Sequence, residues 1–180
     1  QKIRLGRGEL ITRLRNSGEA MAHRGPDDAQ EWASDDGHAG FAFRRLSIRD
    51  LSSAGRQPMA SHCGRYVMMF NGEIYNHLDI RNTLDAEISP SWIGHSDSET
   101  LVTAIAHWGL DATLVKLDGM FAIAVWDKTE KKLSLVRDRF GEKPLYYMQE
   151  GDTLYFASEL KALPPLGANF GEIDREALAI

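Results

Sequence analysis

The chain has 180 residues, 43% hydrophobic and 26% charged, with 16 Gly and 6 Pro, which excludes a disordered, collagen-like or disulfide-stapled protein. Its 21 Lys and Arg against 26 Asp and Glu leave a net charge of −5, so no basic face is expected for a nucleic-acid partner. The longest apolar run, 120–126, is far too short for a membrane span, and the single cysteine, Cys63, permits neither an internal disulfide nor a cysteine-only metal cage. No apolar signal segment opens the chain, which fits a cytoplasmic domain, and a first residue of Gln rather than Met suggests that the true start lies further upstream.

Leu10, Ile11, Leu14 and Met21 recur at helical spacing and predict an amphipathic helix over 9–22, stopped at Arg24-Gly25-Pro26. Strand-like runs follow at 29–33, 38–48 and 66–71, the first two joined by a hairpin turn at Asp35-Asp36-Gly37. Residues 50–65 are rich in Ser, Gly and Pro, lack a period and read as loop. Ser96 with Glu99 three residues later is a capping-box pattern ahead of Leu101, Val102, Ile105 and Trp108; Gly109 ends that helix and a second short one is expected over 110–117. The run 119–127 is apolar on both faces, so it belongs inside a covered sheet. The chain turns at 128–131 and returns over 132–137, and 145–149 with 153–157 form a further hairpin. Trp108, Trp126 and the Phe residues fall on apolar periods and read as core. The tail carries Pro164-Pro165, Gly167 and a helical start at Asp174. Helix, strands, helix pair, strands is an α+β order, with mainly antiparallel sheets sandwiched between helix layers.

Several residues could carry chemistry. Asn71-Gly72-Glu73 follows an apolar strand and reads first as a hairpin turn, since Asn-Gly is the strongest short turn signal. The same residues can serve otherwise: a carboxamide N–H beside a glycine backbone N–H can aim two donors at one developing oxyanion. Arg45, at the end of a strand, is either a solvated strand end or a guanidinium fork for a carboxylate. Asp97 lies in a helical first turn, where dipole and capping explain a carboxylate about as well as ligand binding does. No two of the six histidines have the i, i+4 spacing of a helical zinc pair, and no phosphate-binding glycine loop is present. Cys63, in a loop with only His62 as a potential activating neighbour, reads as inert.

Read together, these pieces resemble a known set. His23-Arg24-Gly25-Pro26-Asp27-Asp28, Arg45-Leu46-Ser47-Ile48, Gln57-Pro58-Met59, Asn71-Gly72-Glu73-Ile74-Tyr75-Asn76, Ser96-Asp97-Ser98-Glu99, Gly119-Met120-Phe121-Ala122, the stretch from Arg137-Asp138-Arg139 to Tyr146-Tyr147, and Ala157-Ser158-Glu159-Leu160-Lys161 are similar, in the same order, to the glutamine-hydrolysing half of asparagine synthetases. The resemblance implies the four-layer αββα sandwich of N-terminal-nucleophile hydrolases and release of ammonia from the side-chain amide of L-glutamine. It implies that Arg45 pairs with the α-carboxylate of glutamine, that Glu73 and Asp97 hold its α-ammonium, that Asn71 and the N–H of Gly72 form the oxyanion hole, and that Ile48 and the backbone near Arg49 line the pocket. It further implies no cofactor or metal in this domain, with ATP and Mg serving a synthetase domain normally in the same polypeptide; a homodimer stays open. The amidotransferase domain would cover 1–157, and 158–180 its end and the start of the connector.

The family's nucleophile is an N-terminal cysteine, leading Cys-Gly-Ile and a short strand before the first helix. Gln1 stands close to where that helix starts, and Cys63 falls at a variable turn, so the nucleophile is expected ahead of Gln1. A non-catalytic glutamine-binding or regulatory module is the other reading, and the sequence as given is expected to be inactive alone.

Overall fold

The computed structural model of the chain describes residues 5–46 and 55–171. In chain order these form α1 (Arg7–Ala20), the hairpin of β1 (Asp28–Ala33) and β2 (Gly40–Arg45), a short β3 (Met59–Ala60) and a long β4 (Tyr66–Ile74). Next come α2 (His77–Ile88), α3 (Asp97–Trp108), α4 (Leu110–Leu114), and the hairpins β5 (Gly119–Asp127) with β6 (Lys132–Arg137) and β7 (Tyr146–Glu150) with β8 (Thr153–Ala157). All strand pairings among these residues are antiparallel, as expected.

The central sheet has the order β3-β4-β5-β6. Its middle strand β5, apolar on both sides, is buried from Phe121 to Asp127 because both of its faces are covered. On one face Met68, Phe70, Ile74 and Ile123 pack against Ile80 and Leu84 of α2 and Leu101 and Ile105 of α3. Burying each Leu or Ile here is worth about 1.5–3 kcal/mol. On the other face Val67, Ala124 and Trp126 meet Phe41 of β2, and Phe156 of β8 closes edge-on against Phe41 with ring centroids 5.9 Å apart. Helix α1 covers the outside of β2: Gly40 lies under Leu14, and Gly18 under Ala42 and Arg44. Residues 160–166 wrap back onto α1, where Ser17 Oγ donates to the Ala162 carbonyl (2.7 Å) and Arg13 Nη1 to that of Leu166 (3.1 Å). The layers are therefore helix, sheet, sheet, helix.

Five expectations need correction. First, β4 runs straight through Asn71-Gly72-Glu73 rather than turning there, because each of these residues has an antiparallel partner on β5 (Ala122, Phe121 and Met120). Second, α2 was not expected; its buried stripe is only Ile80 and Leu84, an i, i+4 pair too short to stand out as a period. Third, the loop expected over 50–65 contains β3, which β4 recruits through two residue pairs. Fourth, the second β layer is not one sheet among the described residues but two separate hairpins, β1–β2 and β7–β8. Fifth, Phe140 and Phe170 lie outside the core, at 89% and 51% exposure. Phe140 belongs to a loop whose backbone N–H groups, its own included, turn in on the buried carboxylate of Asp138, and its ring faces solvent. The capping box at α3 is half formed: Ser96 Oγ accepts from the Glu99 N–H (3.2 Å), while the Glu99 carboxylate reaches back to the N–H groups of Ile93 and Gly94. The helical start expected at Asp174 lies outside the described residues.

Candidate active site

Alternation along β4 decides which side chains can meet a ligand. Phe70 and Ile74 are committed to the α2–α3 layer. Asn71 and Glu73 therefore point to the opposite face, toward the hairpins. The same rule applied to β2 sends Ala42 and Arg44 toward Gly18 of α1 and puts Arg45 on the inward face with Phe41. Its main chain is held firmly: the Asp27 N–H donates to the Arg45 carbonyl (3.0 Å), and Gly25 lies so close that a Cβ there would sit 2.5 Å from the Arg44–Arg45 peptide. The His23-Arg24-Gly25-Pro26 turn thus acts as a backstop for Arg45. It is pinned in turn by Glu159, whose Oε1 accepts from Arg24 Nη1 (3.1 Å) and faces His23 Nε2 (3.0 Å). The Arg24 contact leads in holding the Glu159 carboxyl at about 2.

Asp97 enters from the first turn of α3. Its Oδ2 accepts the N–H of Ile74 on β4 (3.1 Å) and its Oδ1 the N–H of Ser98 (2.9 Å), so it ties helix to strand while retaining lone pairs for a cation. Gly72 has no room for a side chain: a Cβ there would stand 2.1 Å from the Met120 carbonyl oxygen.

Arg45, Asn71, Gly72, Glu73 and Asp97 all line one cavity of 630 Å³. Ile48 and Arg49 lie outside the described residues. The cavity follows the seam between the two hairpins, bounded by β2 and by Phe156–Ser158, with Ala122 and Ala124 of β5 as its floor. Arg24, Gln57, His77, His95 and Lys143 also line it, though no role was expected for them. Arg24, Gln57 and Lys143 stand in motifs visible in the sequence, while His77 and His95 lie only four and two residues from Glu73 and Asp97; the fold brings Lys143 in from the far side of the chain. Cys63 is not a lining residue: it is exposed in the turn before β4, and its thiol is held below the usual range, chiefly by the Ser61 hydroxyl (3.3 Å).

The wall carrying Lys143 is set by Asp138. Burial alone would push this carboxyl up, but the backbone N–H groups of Glu142, Lys143, Phe121 and Phe140 outweigh it and bring it down to about 2, below the ordinary 3.8. A carboxyl lowered in the folded state contributes stability above its ordinary value and loses it as pH falls toward the lowered one. Amide exchange at Glu142 and Lys143, corrected for intrinsic rates, is expected to lose protection between about pH 4 and pH 2. Asp138→Asn should remove that dependence.

A helix–sheet–sheet–helix fold with opposite charges and a glycine-flanked carboxamide in one cavity defines an amidotransferase-type domain. The chain belongs to the glutamine amidotransferase domain family, whose sequence profile matches residues 5–180. It is similar to glutamine-hydrolysing asparagine synthetase 1 of Bacillus subtilis (strain 168), with 42% identity over 170 residues, covering 94% of this chain and 26% of that protein. A putative asparagine synthetase of Mycobacterium tuberculosis (strain ATCC 25618 / H37Rv) is 38% identical over 180 residues, covering 94% and 27%. The chain thus spans about a quarter of the length of the curated relatives it matches. Among solved structures, the glutamine phosphoribosylpyrophosphate amidotransferase of B. subtilis, complexed with ADP and GMP, shares the fold with a TM-score of 0.69 at 20% identity, covering 88% of this chain and 41% of that one.

Proposed function

We propose that this domain binds L-glutamine and releases ammonia from its side-chain amide, for use by an ATP-dependent synthetase part acting on an aspartate-like acceptor. The observation that carries the reading is the placing of Arg45, Asn71-Gly72-Glu73 and Asp97 on a single cavity from three separate stretches of chain. Glutamine is a zwitterion with a neutral amide. Arg45 offers a fork to its α-carboxylate, Glu73 and Asp97 accept its α-ammonium, and the Asn71 carboxamide and Gly72 N–H donate to the amide oxygen as it becomes an oxyanion.

The attacking group is a thiol of an N-terminal cysteine ahead of Gln1. Its own α-amine, with an ordinary pKa of about 7.7–8.0, takes the thiol proton. The sulfur adds to the amide carbon, the proton passes to the leaving nitrogen, ammonia departs, and water hydrolyses the thioester to glutamate and free thiol. Cys63, on an exposed turn, takes no part. The domain needs no metal or nucleotide for this chemistry; ATP and Mg serve the synthetase part. Among the described residues no helix is long and apolar enough to cross a membrane.

The test uses the full-length protein. It is expected to hydrolyse glutamine, to lose that activity when its N-terminal cysteine is changed to Ala, and to keep it in Cys63→Ser. Glutamine bound but never hydrolysed by the intact protein would favour the non-catalytic module. Activity that survives complete thiol alkylation would defeat the mechanism.

A further inference from the structure

Strand β4 has an unusual edge. Backbone groups point alternately to either side of a strand, so the partners of neighbouring residues reveal the direction of each. The Phe121 N–H donates to Asp138 Oδ2 (3.2 Å) and its carbonyl accepts from the Asp138 N–H (2.8 Å), both on the side away from β4. The pair Gly72–Phe121 therefore exchanges no hydrogen bonds, and the Gly72 N–H points to the opposite edge, the one β3 borders. Met68, Phe70 and Ile74 share that direction. Met68 lies opposite Met59, but β3 pairs only with Val67 and Met68 and ends short of the rest.

Two side chains continue the ladder where β3 stops. Gln57 Oε1 accepts the Phe70 N–H at 2.6 Å, and Gln57 Nε2 donates to the Phe70 carbonyl at 3.1 Å, so one carboxamide imitates a peptide rung. Asp97 Oδ2 takes the Ile74 N–H. Gly72 stands midway between these rungs. Gln57 is 6% exposed, and its Nε2 also reaches Ser98 Oγ (3.3 Å) beside Asp97, which couples the strand to α3.

We infer that Gln57 is a positioning residue for the oxyanion donors: its buried carboxamide replaces the missing strand rung at Phe70 and so sets the direction of the Asn71 and Gly72 donors that follow. Gly72 has no side chain for packing to hold, so its N–H takes its place from the rungs on either side. A misplacement of about 1 Å in such a donor can cost on the order of a hundredfold in rate. The inference rests on the glutaminase reading and adds a residue whose carboxamide is engaged with Phe70 and Ser98 and acts through the strand.

Gln57→Glu, made in the full-length protein, keeps the size of the side chain but sets a carboxylate oxygen against the Phe70 carbonyl. Protonated, the same group regains an O–H donor, and burial raises its pKa. At about pH 8 the expected kcat for glutamine hydrolysis is roughly tenfold or more below wild type, with KM changed by less than about threefold, since Arg45 and Glu73 are undisturbed. The ratio of variant to wild-type kcat should recover toward about pH 6. A kcat within about twofold of wild type at pH 8, or a loss equal at both pH values, overturns the inference. Amide exchange on the wild-type protein decides the matter if the variant does not fold: the Phe70 N–H should be protected and the Gly72 N–H should exchange much faster, and equal rates overturn it. A wild-type protein that neither binds nor hydrolyses glutamine removes the glutaminase reading instead, a result the exchange contrast at Phe70 does not depend on.

Discussion

Arg45→Ala is expected to weaken glutamine binding by about 2–5 kcal/mol, roughly thirtyfold to several thousandfold in Kd. The α-carboxylate would enter a cavity that no longer offers its matching fork, and most of the loss is the cost of an anion left without its partner. The fold should tolerate the change. The main chain at Arg45 is fixed by the Asp27 N–H and by Gly25, neither of which depends on the guanidinium. Arg45→Lys retains the charge without two parallel N–H donors, so its affinity should fall between the two. Calorimetric titration measures all three proteins, and a Kd for Arg45→Ala within about threefold of wild type would remove the carboxylate role.

Asn71→Ala acts at the other end of the ligand and on a different quantity. Loss of one oxyanion donor raises the barrier by about 2.7–4 kcal/mol, a fall of roughly a hundred- to a thousandfold in kcat. KM should change little, because the ground-state amide oxygen needs the donor far less than the tetrahedral intermediate does. The strand itself should persist, since the Asn71 backbone keeps its place opposite Ala122. Steady-state kinetics of ammonia release by the full-length protein separates the two quantities. A KM that rises as much as kcat falls would make Asn71 a binding residue instead.

The two substitutions probe residues that the sequence displays in different ways. Arg45 is readable as the polar end of an apolar strand, and period-two alternation already places it on one face of β2. Asn71-Gly72 misleads, since its local chemistry favours a turn, and the structure keeps it extended. The difference lies in partners some fifty residues away: Met120, Phe121 and Ala122 sit opposite these residues, and pairing along the whole of β4 outweighs a two-residue turn preference. Asp97 shows a third case. Its position in a first turn follows from Ser96 and the apolar period behind it, but its bond to Ile74 exists only because α3 docks its N-terminus beside β4.

By itself, the sequence determined what short-range physics controls: the apolar stripe of α1, the burial of β5 on both faces, the Asp35-Asp36-Gly37 turn, the hairpin of 145–149 with 153–157, and the cap at Ser96. Its ordered motifs also carried the family. The tertiary structure alone decided that α2 forms around Ile80 and Leu84, since a two-residue stripe has worth only when a sheet face waits for it. It decided that the second β layer is parted into two hairpins with the cavity along their seam. It also made Gln57 a rung of the central sheet, because a side-chain amide can replace a backbone pair only where folding has set it against an open strand edge, here the edge of β4 beyond the end of β3.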